Sequence, residues 1–405
     1  MFRLKLWMLV FPCLFAIGSS AQDLTPPAPQ RLFVHSKILN EGRVIWVRIP
    51  AASRQVKSRY PVLYLTDGDG QINEIGGTID FLAGENRMPP MIVVGIPNTD
   101  RVRDLTPTRA DLKEATGTVT PFPSSGGGDK FLDFIQFELF PEIEKRYATE
   151  PFRVFAGHSL GGLMAIHALI TRPDMFNAYL AVSPSLQWDN ARTLHQAEQF
   201  FASHHDLKKA LFFSLATEQG VMSDAFVELQ KTLTAGAPNG FVWDSARYSD
   251  EDHSSTVLRA HYAGLRMIFA DFRMPRDPKT GRRAGGLAEV EQYYRRLSER
   301  YGYPVSSEGA INSLGYSLLS SKQINEAMAA FQRNVELYPE SANVYDSLAD
   351  GYEGAGKLEL AKQSLVKCLE VATRNGDPRL PAFQKHLERI TTAAGTAPAK
   401  ASPAK

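Results

Sequence analysis

The sequence predicts an α/β protein: a mostly parallel sheet covered by helices on both faces, followed by a small all-α region. Three observations carry this. Apolar, β-rich runs alternate with segments of helical period over about 240 residues. A Gly-x-Ser-x-Gly turn stands where one such run passes into a helix. Beyond a polar, Gly-rich break, a 34-residue helical repeat begins. Strand–helix alternation places successive strands in parallel, because each crossover helix packs back over a sheet face.

The first 21 residues read as an export signal. Arg3 and Lys5 precede a 12-residue apolar run (6–17), and Ser19 and Ala21 fit a small-residue cleavage site. That run is shorter than the roughly 20 residues a membrane-spanning helix needs, so no stable span is expected after cleavage. Cleavage takes the formal net charge from +1 to −1 and removes Cys13, leaving Cys368 alone. An exported chain with one cysteine has no internal disulfide and must be held by its core. The expected location is periplasmic or secreted. Near-neutral charge supplies no basic face for nucleic acid or an anionic membrane.

Residues 22–275 are expected to form the α/β domain. Strands are predicted at 44–49 (VIWVRI), 60–65 (YPVLYL), 91–96 (MIVVGI), 153–156 (RVFA), 178–182 (AYLAV), 210–215 (ALFFSL) and 241–248 (FVWDSARY). Helical spacing marks 131–147 and 163–171, while 106–129 has no clear period and reads as a long loop. Residues 276–286 form a linker, 287–390 a tetratricopeptide-like helical domain, and 391–405 a low-complexity tail expected to be disordered. In the repeat, Ile311, Leu314, Gly315, Leu318, Ala327 and Phe331 recur as Tyr345, Leu348, Ala349, Tyr352, Ala361 and Leu365. Nothing in 308–377 supplies a catalytic group. The repeats are expected to bind a protein partner or a second copy, or to pack on the α/β domain and stabilise it.

The chemistry centres on GHSLGG, residues 157–162, between a strand and a helix. In that setting the turn is a nucleophile elbow: flanking glycines permit the tight bend and Ser159 is thrust out above the sheet. The order must then be serine, acid, histidine, each after a later strand. Of nine histidines, His253 alone follows a strand directly and leads into a helix. The acid falls after 210–215, where Glu218 is chosen over Asp224, which reads as the start of a helix. The oxyanion hole needs two backbone N–H donors: Leu160, after the nucleophile, and Asp69 from the 66–70 loop, with Gly68 in reserve.

Five ordered motifs then carry a resemblance: GHSLGG, PVLYLTDGDG, NTDRVRDLTPT (98–108), GGGDKFLDFIQFELFPEIEKRY (126–147) and SPSLQWDN (183–190). Together they resemble the enterochelin-esterase-like branch of the α/β-hydrolases over about residues 30–272. The resemblance implies a serine hydrolase acting on carboxylic esters of small molecules, with Ser159, Glu218 and His253 in the triad positions. Gln187 departs from the pattern, since relatives tend to carry an aromatic residue beside Trp188. An acyltransferase or peptidase on the same triad, and a non-catalytic scaffold, are the competing readings.

Other motifs carry no such weight. GYEGAGK (351–357) lacks the Ser/Thr that holds magnesium and the strand that precedes a phosphate loop. The 67–69 segment departs from a calcium loop at Ile72 and Thr78. His204 and His205 have no second ligand cluster at metal spacing. No cofactor and no metal are expected.

Overall fold

The structure is a computed structural model that describes residues 28–50, 58–113, 119–275 and 285–396. Residues 1–21, read above as an export signal, positions 276–284 of the expected linker and the last nine residues lie outside them. Among the described residues, no helix is long and apolar enough to cross a membrane.

Strands β1 (Gln30–Ser36) and β2 (Glu41–Arg48) form an antiparallel hairpin. Strand β3 (Tyr60–Thr66) leads into helix α1 (Gly68–Gly84), then strand β4 (Ile92–Ile96) and the short helix α2 (Arg101–Leu105). The aperiodic stretch expected to be a loop contains a small antiparallel pair, β5 (Leu112–Lys113) and β6 (Val119–Thr120). A continuous helical segment follows: α3 (Gly128–Phe134), a π-turn (Ile135–Leu139) and α4 (Phe140–Arg146). Then come β7 (Thr149–His158), α5 (Leu160–Thr171), β8 (Ala178–Val182), α6 (Trp188–Ser203), β9 (Ala210–Leu215), α7 (Val221–Gly236), β10 (Val242–Arg247) and α8 (Val257–Ile268).

The eight-stranded sheet has the order β1-β2-β4-β3-β7-β8-β9-β10. It is antiparallel through β1, β2 and β4 and parallel from β4 to β10. β3, β4, β8 and β9 are buried along their whole length, hence their continuous apolar runs. One face packs Phe131, Phe134, Leu163, Leu194 and Phe226 against Tyr64 and Phe155. The other packs Ile72, Ile75 and Ile79 of α1 and Leu265 and Ile268 of α8 against Leu63 and Leu65.

Six helices follow: α9 (Leu287–Tyr301), α10 (Glu308–Ser320), α11 (Ile324–Leu337), α12 (Ala342–Gly354), α13 (Leu358–Asn375) and α14 (Leu380–Thr396). α9 packs into the second face of the sheet domain. The Tyr301 ring meets Phe152 edge-on at 5.2 Å and lies tilted 5.5 Å from Phe269, and its hydroxyl donates to Asp271 at 2.7 Å. Gly315 of α10 and Gly351 of α12 both lie against Phe331, where an added Cβ would come within 2.5 and 2.8 Å of the ring. α14 continues to Thr396, so the tail expected to be disordered from 391 is helical for its first six residues. Thr391 and Thr392 extend it by donating their hydroxyls to the carbonyls of Leu387 and Glu388.

Candidate active site

Ser159 sits between the end of β7 and the start of α5, at φ +59° and ψ −114°. A non-glycine residue there is strained, and the turn is held by its neighbours. The Ser159 N–H donates to the Val182 carbonyl at 2.9 Å, and Ser159's carbonyl accepts from Ser185 N–H at 3.1 Å. Glycine is required beside it. A Cβ on Gly157 would stand 2.4 Å from the Gly161 backbone, and one on Gly161 would stand 2.2 Å from Thr66 Oγ1. The same closeness shows that the start of α5 abuts the end of β3.

Glu218 lies just past β9, and His253 lies in the loop between β10 and α8. The structure brings them together: His253 Nδ1 is 2.6 Å from Glu218 Oε1. The other Glu218 oxygen accepts the Ala216 N–H at 2.7 Å. Burial alone raises the Glu218 pKa, but the hydrogen bonds from His253 and from the backbone outweigh it and hold the carboxyl below its ordinary value. Asp224 is in the first turn of α7 and lines a neighbouring cavity. The acids beside His253 are engaged elsewhere. Asp250 and Glu251 bind Arg259, and Asp252 accepts the N–H groups of Ser254 and Ser255.

The Ser159 hydroxyl lies 3.3 Å from the Ser185 hydroxyl rather than in a hydrogen bond with His253. Unliganded hydrolases often hold the nucleophile and base this loosely. Leu160 is the first residue of α5 and Asp69 the second of α1, so both N–H groups belong to first turns, which have no intrahelical acceptors. The turn into α1 is set by Asp67 at φ +53°. Its carboxylate is bound by Asn98 and Arg101, and Arg101 also donates to the His158 carbonyl at 3.1 Å.

Ser185, His158 and the Asp67–Arg101 pair went unassigned at the sequence level. They lie inside the motifs SPSLQWDN, GHSLGG, DGDG and NTDRVRDLTPT, but only the fold brings those segments together. A cavity of about 640 Å³ adjoins the segments that follow Ser185 and Glu218. Gln187, Trp188, Asp224 and Ala225 are among its lining residues, and Gln187 Oε1 is buried there without a hydrogen-bond partner. Three successive residues of this wall, Asp189, Asn190 and Ala191, adopt left-handed backbone with φ from +51° to +59°.

Comparison with known proteins agrees with this architecture. The family model described as "Putative esterase" matches residues 36–269. The ferri-bacillibactin esterase BesA of Bacillus subtilis is 28% identical over 263 residues, spanning 59% of this chain and 89% of that protein. The siderophore enterobactin esterase of Emericella nidulans is 32% identical over 248 residues, spanning 51% of this chain and 81% of that protein. Among solved structures, an IroE-like serine hydrolase from Shewanella oneidensis superposes with a TM-score of 0.66 at 30% identity, covering 76% of this chain and 99% of that one.

Proposed function

The chain belongs to the "Putative esterase" family and is an ester hydrolase, and from that premise we propose that it works through a Ser159–His253–Glu218 triad and an acyl-enzyme. Ser159 Oγ attacks the ester carbonyl while His253 Nε2 takes its proton. Glu218, ionised, holds His253 Nδ1–H and stabilises the imidazolium without taking the proton. The amides of Leu160 and Asp69 receive the oxyanion, where fixed dipoles act without reorganising. His253 returns the proton to the leaving alcohol, and water then resolves the acyl-enzyme by the same route. The observation that carries this reading is the 2.6 Å Glu218–His253 pair standing past the carboxyl ends of the strands, the end of the sheet that also bears the strained serine.

For substrate, the reading takes a siderophore ester, the class named for the bacterial and fungal relatives, with part of it seated in the cavity beside Gln187 and Trp188. The reading places the enzyme outside the cytoplasm, by way of residues 1–21, and gives the helical repeats a partner-binding or stabilising role. The test is labelling by a fluorophosphonate and turnover of an aryl ester and of enterobactin by residues 22–405. Ser159→Ala should lose labelling and about 10⁴- to 10⁶-fold in kcat. Glu218→Gln should lose about 10²- to 10⁴-fold, less than the serine variant, because the acid only orients and stabilises the base. Asp224→Asn should stay close to the parent. A crippled Asp224→Asn beside an active Glu218→Gln would reassign the acid, and an active Ser159→Ala would remove the triad altogether.

A further inference from the structure

We propose that His158, the residue before the nucleophile, is a positioning residue for the general base: it donates its Nε2–H to the His253 carbonyl and ties the base-bearing loop to the nucleophile turn. This rests on the Ser159–His253–Glu218 reading and deepens it.

The two atoms are 2.6 Å apart. A carbonyl oxygen can only accept, so the proton must sit on His158 Nε2. The rings of His158 and His253 are 4.5 Å apart and inclined by 46°, so the contact packs the rings as well as bonding the backbone. His158 is fixed from the other side as well. Its carbonyl accepts from Arg101, whose guanidinium grips Asp67 at the entrance to α1. One residue thus joins three segments: the nucleophile turn, the loop carrying the base, and the turn supplying the second oxyanion donor. His253 needs such a tether because its ring is otherwise held through Nδ1 alone, and its side chain is 39% exposed.

The charge state agrees with this role. When His253 becomes an imidazolium during turnover, a second cation 4.5 Å away would oppose it. Burial and the neighbouring His253 push the His158 pKa down to about 4, so the ring is neutral at neutral pH.

The test compares His158→Phe, which keeps a ring and loses the donor, with His158→Gln, whose amide N–H reaches a similar place. Activity on a small aryl ester is counted per active site titrated with a fluorophosphonate, so misfolded protein drops out. His158→Phe should lose about 30- to 100-fold in kcat with KM within about threefold, the scale expected for a misplaced catalytic group. His158→Gln should recover most of that loss. A Phe variant within threefold of the parent, or a Gln variant no better than Phe, would overturn the inference. Should His158→Phe fail to accumulate, His158→Met takes its place and the same two outcomes decide. Ser159→Ala in parallel, counted per folded protein because it takes no label, separates the two levels: an active serine variant sinks the triad, whereas a dead one beside an unaffected His158→Phe sinks only the tether.

Discussion

His158 also carries a cost that can be measured away from catalysis. Its pKa is pushed down to about 4 by burial and by His253, against an ordinary value near 6.5. Arg101 acts in the same direction, and Asp67 and the hydrogen bond to His253 act against it. The unfolded chain therefore takes up a proton between those two values that the folded chain refuses. Stability is fully present above pH 6.5 and falls as pH drops toward 4, by on the order of 2–3 kcal/mol. Replacing His158 by Gln should flatten that limb in thermal midpoints measured from pH 7 to pH 4. An unchanged acid limb would mean that this histidine protonates in place without penalty. Glu218 adds a second, lower limb: its folded pKa is depressed, so its contribution is present above the ordinary carboxylate range and fades as pH falls through the folded value. At this scale strand order and turn position single out Ser159 and His253 in the sequence and narrow the acid to Glu218, with Asp224 as runner-up. The sequence was silent on Ser185 and His158, whose roles arise from bonds across 26 and 95 positions of chain.

The element that most constrains the site is the turn from β7 into α5. One of its glycines is set by a neighbour distant in sequence: Gly161 has Thr66 of β3 where its side chain would be. Gly161→Ala must displace the buried Thr66 side chain and crowd α5 against β3, so overpacking of about 1–3 kcal/mol is expected. The crowded part of α5 includes the Leu160 amide, so kcat on a small ester should fall more than tenfold while the protein still folds. Parent-like kcat in a folded Gly161→Ala would show that the turn tolerates the shift and that Leu160 N–H does not depend on it. The buried central strands were legible because a strand covered on both faces is apolar throughout. β1 escaped notice: its pattern alternates exposed and buried residues at the sheet edge, and Gln30, Arg31 and His35 dilute the apolar signal. The pair β5–β6 escaped because two-residue strands carry no period. The left-handed run Asp189–Ala191 has no glycine to announce it, and its position on the cavity wall is visible only in the fold.

At the scale of the whole molecule, the question is whether the helical region is separable from the sheet domain. The sequence places a boundary near residue 275, and the polar, Gly-rich stretch there is long enough to let the repeats either dock or swing free. The packing argues for a later division. Leu297 and Tyr301 of α9 are 3% and 2% exposed, and they fill the sheet domain's second face against Phe152 and Phe269. Arg300 and the Tyr301 hydroxyl both bind Asp271, so polar contacts hold the same seam. Cutting at 275 would uncover this apolar face, whereas cutting after Val305 would keep it covered. Removing a large buried aromatic costs about 3–5 kcal/mol, which for a domain of this size corresponds to roughly 10 °C in thermal midpoint. Residues 22–275 should therefore melt about that much lower than residues 22–405, while residues 22–305 should stay within a few degrees of the full chain. Both should cleave a small aryl ester with kcat/KM within about threefold of the parent when assayed well below their midpoints, because no residue after 305 stands in the site described. Equal midpoints for 22–275 and 22–305 would show that α9 is a passenger. A fall of more than about tenfold in kcat/KM for a folded 22–305, roughly 1.4 kcal/mol of transition-state stabilisation, would show instead that the distal helices α10–α14 help to build the active site.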